Sequence, residues 1–206
     1  MSAIIDYYFT AVSPYVYLGH QAMVDLVKKH GASIHYKPVL LPGLWEVSGS
    51  VPLAQRSPTR QRYRLLELQR AAFRRGLPIN LKPKFFPADP ALVDHVVIAL
   101  LERQADPTGF MGRVFAGVWA NEENVADADT LARYLEAEGH DAADVLHAAQ
   151  GDAVKAERAQ NTADAVAADA IGVPAYVLNG EVFWGQDRIE DLALALETGR
   201  APFTAG

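Results

Sequence analysis

The apolar positions at the start of the chain predict a strand, a helix and a second strand. Ile4 to Phe9 is an apolar run of strand length, and Ser33 to Leu41 alternates apolar and polar residues before it becomes fully apolar. Between them, Pro14 to His30 has apolar residues at helical spacing, and Gly31 is a stop signal. This part of the chain is therefore predicted to form a βαβ unit.

The middle of the chain loses the strand pattern and shows helical spacing. Pro42 to Pro58 is rich in Gly, Pro and Ser and predicts an exposed loop, and residues 76–90 (GLPINLKPKFFPADP) predict an extended connection. The predicted helices are Thr59–Arg75, Ala91–Gln104, Thr108–Asn121, Ala128–Glu138, Ala142–Gln150 and Ala153–Ala170.

Strand patterns return near the end of the chain. Residues 173–185 (VPAYVLNGEVFWG) contain two apolar runs around Asn179-Gly180, a strong hairpin signal, and Asp187 to Glu197 predicts a closing helix. The order βαβ, helices, ββα predicts an α/β protein with a thioredoxin-like fold. Residues 1–58 and 171–206 would form the thioredoxin-like domain, and residues 59–170 an inserted helical domain, the layout of DsbA-like proteins.

Composition excludes several classes of function. The chain has no cysteine, which excludes disulfides, thiolate metal sites and dithiol chemistry by the protein itself. Its six His residues do not have metal-ligand spacing, so no metal is expected. There is no run of about 18 apolar residues, so no membrane span is expected. The chain starts without the pattern of a signal peptide, and the expected location is the cytoplasm.

The charge is unevenly distributed. The net charge is −6, yet residues 56–84 contain seven Arg, two Lys and only one acidic residue, Glu67, a local charge of +8. A nucleic-acid-binding protein would need basic residues over its whole contact face, so that class is not expected. The basic stretch indicates either attraction of a small anion or a solvated helix face, and both interpretations stay open.

The junction between the first strand and the first helix contains Ser13-Pro14. Serine is a preferred N-cap and proline a preferred first helical residue, so this pair begins many helices without any other role. In a thioredoxin-type fold this turn lies at a helix N-terminus that favours negative charge. Redox members carry Cys-x-x-Cys where this chain has SPYV. Ser13 is thus either a helix cap or a residue with a chemical role.

Two later segments would face this turn in such a fold. Val173-Pro174 stands where thioredoxin-type folds have a cis-proline, which would leave the backbone of Val173 free to pair with a thiol peptide. An ordinary trans-proline at the start of an edge strand is the alternative. Gln186 and Asp187 begin the last helix, where Asp187 is either a cap or, with Gln186, an acceptor for an ammonium group.

Several segments, in this order, resemble the 2-hydroxychromene-2-carboxylate isomerases and the related kappa-class glutathione transferases. They are FTAVSPYVYL, YKPVLLPGL, RYRLLELQRAAFRRGLPI, FFP and IGVPAYVLNGEVFWGQDRIEDL. The pieces VFWGQDR and PVLL look more like the isomerase branch. The resemblance implies a glutathione-dependent cis–trans isomerase that interconverts 2-hydroxychromene-2-carboxylate, or a related aromatic compound, and trans-o-hydroxybenzylidenepyruvate. It also implies a homodimer.

The resemblance assigns roles to individual residues. Ser13 would meet the sulfur of glutathione, Val173 and Pro174 would hold its cysteinyl unit, and Gln186 and Asp187 would hold its γ-glutamyl end. A substrate carboxylate would suit the Arg side chains of the basic stretch. The candidate contacts of the small aromatic carboxylate are Tyr15, Trp45, Arg60, Arg64, Phe85 and Phe86.

Three positions of this chain differ from the family pattern. These differences affect the expected identity of the substrate more than the expected fold. Ser48-Gly49-Ser50 stands where Gly-Asn is frequent, Arg60 where Lys is frequent, and Glu67 where Asp is frequent. Two alternatives stay open. A kappa-class-like transferase would release the thioether, and a thiol-peptide binding module would bind the peptide without turnover.

Overall fold

The structure is a computed structural model, and it describes residues 2–205. Its strands and helices are, in chain order, β1 (Ile4–Phe9), α1 (Pro14–His30), β2 (Ser33–Pro38), α2 (Leu41–Ser48), α3 (Pro58–Arg75), α4 (Ala91–Glu102), α5 (Thr108–Trp119), α6 (Ala128–Ala137), α7 (Ala142–Ala148), α8 (Asp152–Ala167), β3 (Ala175–Leu178), β4 (Glu181–Trp184) and α9 (Ile189–Thr198). Two short 3₁₀ turns lie at Leu53–Gln55 and Gln186–Arg188.

The four strands form one mixed sheet in the order β2-β1-β3-β4. β1 and β2 are parallel and in register from Ile4 opposite Ser33 to Phe9 opposite Pro38, so α1 is the crossover between them. β3 is antiparallel to β1 and pairs with β4 as a hairpin. The predicted βαβ…ββα order and the thioredoxin-like fold with inserted helices are confirmed.

The alternation along β1 separates two apolar clusters. Ile5, Tyr7 and Phe9 point to one face of the sheet and belong to the larger cluster, which includes residues of α1, α4, α5 and α9. Tyr8 points to the other face, where a smaller cluster contains Leu44 of α2 and Ala165 of α8. The sheet is therefore covered by helices on both faces.

The larger cluster joins the sheet to the inserted helices. Tyr7 and Phe9 of β1 pack in the same cluster as Val96 of α4 and Phe115 of α5. The division of the chain at residues 58/59 and 170/171 stays a prediction, and apolar side chains from both sides of it share this cluster. Within residues 2–205, no helix has the length and apolar character that crossing a membrane requires.

Pro42 to Pro58, which the sequence predicted as an exposed loop, begins with α2, so that prediction was wrong for the first part. Pro42 lies in the first turn of α2, where backbone N–H groups have no partner within the helix, so proline removes no hydrogen bond there. Leu44 is fully buried in the smaller cluster, which holds the helix in place. The helix ends at Gly49 in the left-handed conformation.

Several predicted element ends differ by a few residues. β2 ends at Pro38 instead of Leu41, because its partner β1 ends opposite it at Phe9 and the N–H of Leu40 donates to the hydroxyl of Thr162 at the start of α2. α4 and α8 end before the predicted residues, and Gln104 and Asp169 then adopt the left-handed conformation without being glycine. Asp187 lies in a 3₁₀ turn, and α9 begins at Ile189.

Candidate active site

Ser13 caps α1 and keeps a free donor. Its Oγ accepts the N–H of Val16 at 3.4 Å, and its own N–H donates to the carbonyl of Thr10 at 3.1 Å. A hydroxyl has one O–H donor besides its lone pairs, and no acceptor for that proton was found among residues 2–205. The side chain is almost buried at the N-terminus of a 17-residue helix. The cap therefore does not exclude a chemical role for Ser13.

The Val173–Pro174 peptide bond is cis and lies beside this turn. Tyr8 of β1 pairs with Ala175 of β3, which places Pro174 next to the residues that follow β1. The carbonyl of Pro174 accepts the N–H of Gly185 at 2.9 Å. Within residues 2–205 the backbone N–H and C=O of Val173 have no hydrogen-bond partner.

Gly185 and Gly19 fix the approach of the Gln186–Asp187 segment. Gly185 has φ 114°, and a Cβ there would lie 2.5 Å from Oδ1 of Asp187, so the turn requires glycine. A Cβ on Gly19 of α1 would lie 2.9 Å from the Cβ of Gln186. Glycine at both positions therefore lets this segment lie directly against α1.

Gln186 and Asp187 have different surroundings. Arg75 of α3 donates from Nε to Oε1 of Gln186 at 3.2 Å and from Nη2 to its backbone carbonyl at 2.6 Å. The oxygen of the buried Gln186 side chain is thus occupied, and its amide group remains as a donor. Asp187 is half exposed and contacts Arg188 at 3.4 Å. Of the two residues, Asp187 is the one with an available anionic acceptor.

A cleft opens between the first turn of α1 and the side of α3. Its volume is about 380 Å³, and it is lined by Tyr15, Arg56, Thr59, Arg60, Tyr63, Arg64 and Glu67. We call it the α1–α3 cleft. A second cleft of about 430 Å³, the outer cleft, is lined by residues that include Leu53, Arg64, Leu81 and Phe86. Arg64 lines both clefts and is the residue that connects them.

Arg64 is a half-buried cation without an anionic partner. Within residues 2–205 it makes no ion pair, whereas the nearby Arg70 pairs with Glu67 at 2.6 Å. Its guanidinium carbon lies 6.0 Å from the ring centre of Trp119. Burial lowers the pKa of Arg64, and burial also raises the pKa of Tyr15, an effect that the charge of Arg64 opposes. An anion in the α1–α3 cleft would compensate this charge.

The structure brings some of the predicted substrate contacts together. Tyr15, Arg60 and Arg64 line the α1–α3 cleft, and Phe86 lines the outer cleft with its ring 4.8 Å from that of Trp119. Trp45 and Phe85 line neither cleft. Trp45 belongs to α2, which packs on the opposite face of the sheet through its neighbour Leu44, and Phe85 lies under the ammonium of Lys84 at 5.0 Å.

Asp94 and Arg158 were not found from the sequence. Asp94 is fully buried on α4, and its carboxylate accepts the N–H of Ala11 at 3.0 Å and Nη2 of Arg158 at 2.6 Å. Burial raises the pKa of Asp94 to about 6, against the lowering effects of Arg158 and the N–H of Ala11. An acidic residue inside the apolar run of α4 is a signal that the sequence contained, but its partners are distant along the chain.

In the part of the chain that the structure describes, no group of three or more His, Cys, Asp or Glu is arranged to hold a metal ion. His20 is a buried residue of α1. Burial lowers its pKa to about 4, and its Nε2 lies 3.3 Å from the carbonyl of Thr108. The imidazole is therefore neutral at physiological pH and serves packing.

The sequence matches the DSBA-like thioredoxin domain over residues 4–197. It is similar to the 2-hydroxychromene-2-carboxylate isomerase of Sphingobium xenophagum, with 26% identity over 93% of this chain and 97% of that protein. The isomerase of the same name from Pseudomonas putida is 28% identical over 94% of each chain. Both relatives match over almost their whole length.

Solved structures of other proteins have a similar fold over almost the whole chain. The structure of selenomethionine 2-hydroxychromene-2-carboxylate isomerase superposes with a TM-score of 0.76 and 25% identity over 95% of each chain. The cytosolic disulfide reductase DsbM from Pseudomonas aeruginosa, solved with GSH, has a TM-score of 0.68 over 95% of this chain and 98% of that one. At 15% identity, DsbM supports the fold alone.

Proposed function

This chain belongs to the DsbA-like thioredoxin domain family, and we propose that it is a glutathione-dependent isomerase of 2-hydroxychromene-2-carboxylate or a related aromatic carboxylate. The observation that carries the proposal is the state of Ser13. Its hydroxyl accepts a helix N–H and still has its own proton to donate, at a helix N-terminus beside the cis Val173–Pro174 peptide. With no cysteine in the chain, a thiol has to come from a ligand.

The residues around Ser13 fit the cysteinyl unit of glutathione. When bound, glutathione would supply a thiol for reversible addition to a conjugated double bond, so that the bond can rotate before it re-forms. The Ser13 hydroxyl would donate to the sulfur, and the helix N-terminus would favour its negative charge. The free N–H and C=O of Val173 would pair with the cysteinyl backbone. Together these groups would hold a thiolate without a histidine base.

The γ-glutamyl end of glutathione would lie at the Gln186–Asp187 segment. The carboxylate of Asp187 would accept from the γ-glutamyl ammonium. The amide group of Gln186 would donate to the γ-glutamyl carboxylate, because Arg75 already occupies the oxygen of Gln186. Arg75 thereby orients Gln186 and leaves Asp187 as the anionic contact.

Arg64 would hold the carboxylate of the substrate. A planar guanidinium can bind a carboxylate through two hydrogen bonds, and the low exposure of Arg64 strengthens such a contact. Tyr15 lies in the first turn of α1, two residues after Ser13, and lines the same cleft as Arg64. A substrate bound there would have its carboxylate at α3 and its conjugated carbons towards the N-terminus of α1.

The test is a titration followed by a turnover assay. We expect reduced glutathione to bind, as measured by calorimetry, and S-methylglutathione to bind without supporting turnover because it has no free thiol. With 2-hydroxychromene-2-carboxylate, turnover should require glutathione while the amount of free thiol stays constant. Net loss of thiol would indicate a transferase, and binding without turnover would indicate a binding module. Absence of glutathione binding would contradict the proposal.

A homodimer and a cytoplasmic location stay proposals. On α3, Tyr63, Leu66 and Phe73 lie on one face, and Phe73 is 91% exposed. An exposed apolar face of this kind is typical of an interaction surface, and a second copy of this chain is the partner that we propose. Sedimentation at micromolar concentration should give a dimer, and Phe73→Asp should give a monomer if this face forms the contact.

A further inference from the structure

A buried ion pair lies directly behind the turn that carries Ser13. The carboxylate of Asp94 accepts three hydrogen bonds, from the N–H of Ala11 at 3.0 Å, from the hydroxyl of Thr10 at 3.4 Å and from Arg158 at 2.6 Å. Asp94 is fully buried, and Arg158 is 6% exposed. Two of the three bonds therefore go to the residues that connect β1 to α1.

These contacts continue to Ser13. The carbonyl of Thr10, whose hydroxyl is bonded to Asp94, accepts the N–H of Ser13 at 3.1 Å. Thr10 and Ala11 thus connect the carboxylate on α4 to the residue that caps α1. Since α4 belongs to the predicted helical insertion, this connection fixes the turn from the other half of the molecule.

Stability alone is a weak explanation for a buried ion pair at this place. Replacing such a pair by apolar residues of similar volume is often neutral or stabilising, because both charges lose their hydration on burial. The pair does, however, give the turn a fixed set of acceptors. Arg158 also neutralises the carboxylate, which would otherwise oppose a second negative charge at the start of α1.

We propose that Asp94 is a positioning residue for Ser13: it holds Thr10 and Ala11 so that the Ser13 hydroxyl and the first N–H groups of α1 point to one place. Arg158 keeps the pair neutral. This inference rests on the proposed function, because that place is where the thiolate would lie. Asp94 does not touch the ligand and acts only through the turn.

Two double variants separate the hydrogen bonds from the charges. Asp94→Leu with Arg158→Met removes both charges and all acceptors, whereas Asp94→Asn with Arg158→Met removes both charges but keeps an acceptor for Ala11. The pKa of bound glutathione, read from thiolate absorbance, should rise by about one unit in the Leu variant, a tenfold loss of thiolate. In the Asn variant the pKa of bound glutathione should rise by at most half as much. The value of kcat should fall with the thiolate, and KM for the carboxylate should stay within about twofold.

Asp164→Asn breaks the Lys37–Asp164 ion pair, which involves the same helix α8 but not the turn, and should leave the thiol pKa unchanged. If charge alone mattered, the two double variants would shift the thiol pKa by the same amount, because each of them removes both charges. If the Leu variant does not fold, Thr10→Val removes one of the bonds and should reduce the thiolate fraction about twofold. An unchanged thiol pKa in a folded variant overturns the proposal.

Amide hydrogen exchange distinguishes this inference from the proposed function. The exchange of the Ala11 and Ser13 amides can be measured by NMR without any ligand. It should become about tenfold faster or more in the Leu variant and change less in the Asn variant. Equal exchange in all variants refutes the positioning role even if glutathione is turned over. If the unmodified protein fails to bind glutathione, the proposed function fails, and the exchange rates still decide whether Asp94 holds the turn.

Discussion

Two helices of this protein begin with the same pair of residues, α1 with Ser13-Pro14 and α3 with Ser57-Pro58. In both, the serine Oγ accepts an N–H three residues later at 3.4 Å, and in both the helix ends at a left-handed glycine. Ser13 is almost buried beside the cis Val173–Pro174 peptide, whereas Ser57 is exposed. The same Ser-Pro sequence thus gives a helix cap in both places, and the chemical role that we propose for Ser13 depends on its surroundings alone.

The largest expected difference between the two helices is in the pH dependence of stability. His20 of α1 is buried against Phe115, and burial lowers its pKa to about 4 from 6.5. Between pH 6.5 and 4 the unfolded chain binds a proton at this residue and the folded chain does not. The free energy of unfolding should therefore fall as the pH falls through this window, by about 3 kcal/mol.

Urea unfolding of the unmodified protein and of His20→Gln measures this loss. The difference between the two proteins should change by about 3 kcal/mol from pH 7 to pH 4. The raised pKa of Asp94 increases the free energy of unfolding as the pH falls through part of this range. Because both proteins contain Asp94, this contribution cancels in the difference between them. Glu136→Gln on the exposed side of α6, a carboxylate without an ion pair among residues 2–205, is the control and should follow the unmodified protein. Parallel curves for the unmodified protein and His20→Gln would show that His20 titrates normally in the fold.

The second difference is between two arginines one turn apart on α3. Arg64 is half buried without an ion-pair partner among residues 2–205, and Arg60 is exposed. Arg64→Met should raise KM for the aromatic carboxylate about tenfold to hundredfold, because a hydrogen bond to a charged group contributes about 1.5–3 kcal/mol. Arg60→Met should change KM about twofold or less, since solvent and salt screen an exposed charge. Steady-state kinetics at two salt concentrations measures both, and equal effects would assign the attraction to the whole basic stretch.

The smallest effect concerns the end of the site where we propose that glutathione has its γ-glutamyl group. Asp187→Asn should weaken glutathione binding roughly tenfold, because a half-exposed carboxylate contributes near the lower limit of a charge-assisted hydrogen bond. Calorimetric titration measures the change in Kd. Glu197→Gln removes a carboxylate from the other end of α9, where it pairs with Lys29, and should leave Kd unchanged. An unchanged Kd in Asp187→Asn would remove Asp187 from the site.

The parts of the fold that follow from local rules could be predicted. The start of α1 at Pro14, its end before Gly31 and the hairpin at Asn179-Gly180 depend on residues close together in sequence. α2 was missed because Pro42 and Gly43 interrupt its helical pattern. The early ends of α4 and α8 were missed because their left-handed residues are not glycine.

The candidate site could be predicted only in part for a similar reason. Ser13 and Pro174 belong to the turn and the strand start that define the fold, so the pattern pointed to them. The contact of Arg75 with Gln186 joins residues 111 positions apart, and the contact of Asp94 with Ala11 joins residues 83 apart. Such contacts depend on how the helices pack on the sheet, which the spacing of apolar residues does not specify.

The comparison of the two Ser-Pro helices also provides the most direct test. Ser13→Ala and Ser57→Ala remove equivalent caps, and each should lower the free energy of unfolding by about 0.5–2 kcal/mol. Ultraviolet absorbance then measures the ionisation of bound glutathione in both variants and in the unmodified protein. With Ser13→Ala the thiol pKa should rise by about one unit or more, because the thiolate loses the hydroxyl donor and retains only the helix N-terminus. With Ser57→Ala it should not change. If the Ser13→Ala curve coincides with that of the unmodified protein while both remain folded, Ser13 is only a cap, as Ser57 is.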